Sequence, residues 1–184
     1  RNGELQEINF DSREGKEAFW HTSAHVLAQA VKNLYPDTKC AIGPAIENGF
    51  YYDFEFSFPF SEEHLSCVEE EMKRIVKESL SLQVYEVSKD KAAVFMEENK
   101  EPYKAEMIEE LSQGEVITFY QQGDYEEFCV GPHISNTSYI KAIKLLSVAG
   151  AYWRGNEKNK MLTRIYGISF PKKKMLDEYL ELME

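Results

Sequence analysis

Apolar residues spaced at threes and fours mark one long helix near the start of the chain. In EAFWHTSAHVLAQAVKNLY, residues 17–35, Trp20, Ala24, Leu27, Val31 and Leu34 share a stripe, the pattern of a helix face turned toward a core. Pro36 and Asp37 end it. The period then falls to two. In NGFYYDFEF (48–56), Phe50, Tyr52, Phe54 and Phe56 alternate with Tyr51, Asp53 and Glu55, which predicts a turn and a strand. Helical spacing returns over 61–80, with Leu65, Val68, Met72 and Ile75 on the stripe. Ser61 suits its N-cap, and Glu62 and Glu63 suit the positive end of its dipole. QVYEV (83–87) predicts a short strand, Ser88 caps a helix over 89–98, and Pro102 opens another reaching Leu111. EVITFYQQG (115–123) predicts a strand ended by Gly123, and CVGPHI (129–134) a strand edge and turn. KAIKLLSVAGAYW and KMLTRIYGISF are strand-like with glycine breaks, and a last helix starts near Lys172. Strands separated by irregular helices, without a βαβ rhythm, predict an α+β fold with a mostly antiparallel sheet packed with helices.

Composition narrows this picture only slightly. A chain of 184 residues, 43% apolar, makes one domain or two small ones sharing a core. No apolar run approaches the ~18 residues of a membrane span, and no secretory signal is visible. Cys40, Cys67 and Cys129 are too few and too odd in number for a disulfide framework, so a reduced, cytoplasmic setting is expected. The chain opens on Arg1 rather than Met, which hints at a piece of something longer.

Charge is unevenly spread. Net charge is −11, which argues against a general nucleic-acid binder. Yet residues 141–174 hold nine basic residues and a single acid, Glu157, so they carry +8 and leave −19 for the rest. A basic segment on an acidic body can hold phosphates at one edge and repel them elsewhere. A solvated basic face with no partner is the plainer alternative.

The chemistry concentrates in two short stretches. HTSAH places His21 and His25 one helical turn apart. A metalloprotease would carry Glu directly after the first His, where this chain has Thr22. CVGPH places Cys129 and His133 four apart on a turn, preceded by the carboxylates of Asp124, Glu126 and Glu127. Three of the four histidines fall in these stretches; the fourth, His64, sits in an acidic helix start. If the fold joins the two stretches, a site of three imidazoles and a thiol results. A structural zinc site with one Cys and three His ligands is an alternative, although the spacing is not that of a zinc finger.

The blocks FWHTSAHVLAQAVKNLYPDTKCAIGPAIENGFYYDFEF, EPYKAEM, CVGPHISNT, AGAYWRG and MLTRIYG closely resemble the editing region of bacterial-type threonyl-tRNA synthetases. The paired HxxxH and CxxxH motifs are also shared with alanyl-tRNA synthetase editing domains. The resemblance extends from about residue 8 to the end of the chain, and the class II aminoacylation motifs are absent. It departs from the family at Glu127, where Asp is common, and at Val130, where many bacterial members carry Arg.

The resemblance implies the editing-domain fold, with residues 1–16 as a linker from a missing N-terminal domain, 17–170 as the editing domain, and 171–184 as a helix leading toward a missing aminoacylation core. It implies hydrolysis of Ser-tRNA(Thr) at the acceptor end, in a parent that binds ATP and forms a homodimer. Discrimination at a single site is weak, because a missing methyl is worth only ~1–3 kcal/mol. His21, His25, Lys104, Cys129 and His133 are then the expected catalytic set, with Lys104 stabilising an oxyanion. Gly43, Tyr52 and Glu127 are expected at the substrate, Glu127 holding its ammonium. Cys129 is expected to line the site or position water rather than attack. Lys141, Lys144, Arg154, Lys158, Lys160 and Arg164 are expected near the tRNA backbone. No metal should be required, although zinc has a place at His21, His25, Cys129 and His133. The rival readings are a non-catalytic module that grips the acceptor end and a zinc-stabilised structural domain.

Overall fold

The computed structural model describes residues 9–129 and 131–184, and among them the chain forms five α-helices and eight β-strands. Residues 1–8 of the expected linker 1–16 fall outside this range, and by Arg13 the chain is already helical. Helix α1 runs Arg13–Leu34. Ser12 caps it, its hydroxyl accepting from the Gly15 amide at 2.9 Å, which satisfies one of the orphan donors of the first turn. The apolar stripe is only part of what α1 buries. Thirteen of its residues between Gly15 and Val31 are buried, including the polar Thr22, Ser23, His25 and Gln29. Leu34, expected in the core, is 37% exposed. A helix covered on nearly every side lies inside a domain rather than on its surface.

The covering elements are a sheet and a second helix. Strands β1 (Lys39–Cys40), β2 (Ala45–Ile46), β3 (Gly49–Glu55), β7 (Ala142–Tyr152) and β8 (Met161–Phe170) form an antiparallel sheet in the order β1-β3-β8-β7, with β2 also paired to β3. Helix α1 packs on β2, β3 and β8. Helix α2 (Leu65–Lys77), entered through a 3-10 turn at Glu62–His64, packs on α1 and β7. Phe50, Tyr52 and Phe54 of β3 are fully buried against this helix layer. Two buried hydrogen bonds lock α1 to β8: Trp20 donates to the Ser169 carbonyl at 2.8 Å, and the Ser23 and Ser169 hydroxyls meet at 2.6 Å. Helix α5 (Lys173–Leu182) closes against β7 and β8.

A smaller antiparallel sheet, β4 (Leu82–Val87), β5 (Ile117–Gln122) and β6 (Tyr125–Phe128), carries α3 (Lys89–Glu98) and α4 (Pro102–Glu109) around Ala92, Met96, Ile108, Ile117 and Phe119. A third cluster of Ala41, Tyr103, Trp153 and Leu162 joins α4 to the main sheet. The α+β class and antiparallel pairing agree with the sequence pattern, but there are two sheets. The added element is β6. Gly123, at φ +60, and Asp124 form a two-residue loop between the paired Gln122 and Tyr125, and that loop turns DYEEF back along β5. Among the described residues, the expected strand edge at 129–134 survives in the Cys129 amide, which donates to the Thr118 carbonyl at 2.9 Å.

The two faces of α1 set up a direct test. Leu27 and Leu34 lie on the same predicted stripe, but only Leu27 is fully buried. Urea unfolding should show Leu27→Ala costing about 2–5 kcal/mol, as a cavity in a packed core does, and Leu34→Ala less than about 1 kcal/mol.

Candidate active site

The fold joins the two motif stretches. His21 and His25 project from α1, and Cys129 and His133 come from the segment that leaves β6. One donor atom from each of the four lies within 4.8 Å of every other. Cys129 Sγ is 3.1 Å from His21 Nε2 and 3.4 Å from His133 Nε2, and it accepts the Gly131 amide at 3.2 Å. The His21 and His133 rings stack with centroids 4.5 Å apart, and His25 lies 4.2 Å from His133.

Burial decides the charge state of this cluster. It holds all three imidazoles below their ordinary pKa, His25 and His133 most strongly. For His25 the charges of His21 and Lys104 act in the same direction, while for His21 the Glu127 carboxylate partly opposes burial. Burial also pushes the Cys129 thiol up to about 12, against the Gly131 hydrogen bond. Cys129 and its histidines therefore face each other as neutral thiol and neutral imidazoles. A neutral imidazole can accept a proton at pH 7, whereas a protonated thiol is a poor nucleophile.

Beside the cluster sits a buried charge pair. Lys104 of α4 donates to Glu127 Oε2 at 2.6 Å, and each residue is 4% exposed. The same oxygen accepts the Tyr52 hydroxyl at 2.9 Å, and Oε1 accepts the Tyr125 hydroxyl. His25 Nε2 is 3.5 Å from Oε2 without the alignment of a hydrogen bond, so neither ring nitrogen of this buried histidine has a partner among the described residues. Gly43 lies against the Tyr52 ring, where any Cβ would come within 2.0 Å of ring carbon. Gly43 and Tyr52 are thus part of the packing that holds Glu127 in place. Two contributors had no role assigned from sequence. Tyr125 lies on the unrecognised strand β6, for which Gly123-Asp124 was the available hairpin signal. Thr22 hydrogen-bonds to His133, and its only signal was its place between the two histidines.

The three nitrogens and one sulfur suit zinc, whose preferred ligands are His and Cys. The unpartnered ring nitrogens of His25 are consistent with an acceptor left open for a ligand, so the four residues could hold such an ion.

The basic segment is a long hairpin rather than a patch. Lys141 and Lys144 lie at its base and Lys158 and Lys160 at its tip, all exposed. Arg164 forms a bidentate pair with Asp53 at 2.8 and 3.0 Å and stacks on Tyr51. Arg154 binds Glu106 at 3.0 Å and Glu110 at 2.9 Å, and Lys160 lies 3.8 Å from Glu55. The two arginines are thus engaged by carboxylates of the chain, while Lys141, Lys144 and Lys158 form no ion pair among the described residues.

Comparison with known proteins shows what the chain resembles. The family described as "Threonyl and Alanyl tRNA synthetase second additional domain" matches residues 117–166, the span from β5 into β8 that includes Glu127, Cys129 and His133. Threonine–tRNA ligases are similar over essentially the whole chain. The protein of Caldanaerobacter subterraneus subsp. tengcongensis is 60% identical over 100% of this chain and 28% of its own length. That of Acetivibrio thermocellus is 58% identical over 98% and 28%, and that of Clostridium tetani 56% over 100% and 29%. Over its whole length the chain is thus similar to threonyl-tRNA synthetases, of which it covers the editing region. It spans less than a third of the length of these relatives. Among the described residues, no helix is long and apolar enough to cross a membrane.

The lowered imidazole pKa values fix the sign of an acid response. An unfolded histidine takes up its proton near pH 6.5, whereas these three do so only at lower pH. Below 6.5 the unfolded chain binds more protons, so stability falls as pH falls, by up to about 1.4 kcal/mol per pH unit for each histidine. Urea titrations from pH 8 to pH 5 in chelator should show a plateau above about 6.5 and a decline below it. His25→Gln should make the decline shallower.

Proposed function

We propose that this chain hydrolyses the ester of Ser-tRNA(Thr) and largely spares Thr-tRNA(Thr). The observation that carries this reading is the cluster of neutral imidazoles beside the Lys104–Glu127 pair, in a chain similar to threonyl-tRNA synthetases. Residues 17–170 would form the editing unit, with 1–16 a linker and 171–184 leading to the aminoacylation core of a cytoplasmic, homodimeric parent.

Water adds to the ester carbonyl carbon as its proton passes to a neutral imidazole. His21 suits this role, because its basicity is depressed less than that of the other two. The carbonyl oxygen gains negative charge near Lys104, which uses one hydrogen bond on Glu127 and has two further N–H donors. Collapse of the oxyanion breaks the bond to the ribose oxygen, and the imidazolium returns its proton to that oxygen. Serine and tRNA with a free terminal hydroxyl leave. Glu127 acts mainly by fixing Lys104, since Tyr52, Tyr125 and Lys104 occupy most of its acceptor sites. A substrate ammonium would use the remaining capacity of Oε1. Cys129 lines the site as a neutral thiol.

Hydrolysis should not need a metal. Four protein ligands would saturate a tetrahedral zinc and leave no position for water. The zinc-stabilised reading is favoured by the compact donor set, and chelation separates the two. Loss of deacylation in chelator, restored by zinc, would overturn the metal-free reading.

Three measurements follow. With a short aminoacylated acceptor-end analogue, kcat/KM should favour the seryl over the threonyl ester by about 5–150-fold, the worth of ~1–3 kcal/mol of overpacking by one methyl. Equal rates would refute the proposed preference for the seryl ester. His21→Ala and Lys104→Ala should lower kcat more than they raise KM, as expected for groups acting in the transition state. Reversing Lys158 and Lys160 at the hairpin tip should flatten the salt dependence of tRNA binding by about one unit of slope per charge, whereas reversing Lys141 and Lys144 should not. The tip is chosen because Trp153 there packs on Tyr103, the neighbour of Lys104, with ring centroids 5.0 Å apart.

A further inference from the structure

We infer that Thr22 is a positioning residue that holds His133 in a single tautomer, and that hydrolysis depends on it. This inference rests on the hydrolytic reading above and assigns a role to the residue between the two histidines. Thr22 is fully buried on α1. Its hydroxyl oxygen lies 2.8 Å from the Ala18 carbonyl, 2.9 Å from His133 Nδ1 and 3.0 Å from the Ile134 amide. A threonine hydroxyl has one proton to give and two lone pairs to fill, and these three contacts use all of them.

The proton can be placed. The Ile134 amide can only donate. Thr22 Oγ1 and the Ala18 oxygen, 2.8 Å apart, would set lone pair against lone pair unless a proton lay between them, so the hydroxyl donates to Ala18. The oxygen must then accept from His133, whose proton therefore sits on Nδ1. This leaves the lone pair on Nε2, the nitrogen that faces Cys129 Sγ at 3.4 Å and the centre of the cluster. An acceptor at that point can take a hydrogen bond from the attacking water or from the Cys129 thiol. The opposite tautomer would present an N–H there, which could donate to water or sulfur but could accept a proton from neither.

The same hydroxyl also ties the segment after Cys129 to α1 through Ile134. A glutamate in place of Thr22, as in HExxH metalloproteases, would bring a buried carboxylate against the Ala18 carbonyl. Hydroxyl chemistry at this position thus sets the site apart from theirs: the residue after the first histidine orients another side chain instead of acting on water.

The test has two readouts. In the unsubstituted chain, 15N-labelled and in chelator at pH 8, two-bond 1H–15N ring correlations should show His133 as the Nδ1–H tautomer. The Nε2–H pattern would overturn the inference whatever the activity. Kinetics on the seryl acceptor-end analogue supply the second readout. Thr22→Val keeps the shape and removes the hydroxyl, and kcat should fall about 10–100-fold, the usual loss for a residue orienting a site group, with KM changed less than about threefold. Thr22→Ser, which restores the hydroxyl, should recover at least about a third of kcat. If Thr22→Val keeps full kcat, or Thr22→Ser fails as badly as Thr22→Val, the positioning role is wrong. Absence of hydrolysis by the unsubstituted chain would instead refute the functional reading, and the ring correlations would still decide the tautomer.

Discussion

A carboxylate can be buried inside this protein only if donors from several elements converge on it, and that constraint organises the site. Glu127 sits on β6 of the small sheet. Its partners arrive from three directions: Tyr52 from β3 of the large sheet, Lys104 from α4, and Tyr125 from its own strand. Each donor offsets part of a desolvation cost that no single one would cover. Removing one side of such a buried pair typically costs ~3–5 kcal/mol, because the other charge is then stranded. The two sheets and α4 are thus coupled through one side chain. The packing of Gly43 on the Tyr52 ring belongs to the same arrangement.

The same low-polarity surroundings give the neighbouring cluster its character. Glu127 is met by three hydrogen-bond donors, whereas burial holds His25 and His133 in their neutral forms. Burial does the same to Cys129 from the acid side. The thiolate–imidazolium pair of a cysteine hydrolase is therefore disfavoured here, although both residue types are in contact. Proximity alone would have suggested a nucleophile, but burial argues for water.

Much of this was legible in the chain. The long period-3.6 stripe found α1, the aromatic alternation found β3, and the paired HxxxH and CxxxH motifs fall where the histidines and the thiol meet. What stayed hidden depends on tertiary context. The stripe marked Leu34 as core because periodicity records a face and not where the covering layer stops. Strand β6 was missed because two glutamates masked an alternation that a Gly-Asp turn should have signalled. The basic segment looked like one surface in sequence, yet an antiparallel hairpin sends its charges to opposite ends and pairs its arginines with acids from other elements. The pairing of Glu127 with Lys104 could not be inferred at all, because residues 23 positions apart on a strand and a helix carry no mark of their contact.

The burial of α1 divides the site into two parts of unequal stiffness. His21 and His25 belong to a helix whose amides are enclosed between a sheet and another helix, so they should open only when the whole domain does. Cys129 and His133 lie on a segment outside regular structure, held by a few hydrogen bonds. The four-residue cluster therefore joins one jaw fixed in the core and one outside regular structure. The second is not independent of the first, since Ile134 packs against the main core and its amide donates to Thr22 of α1.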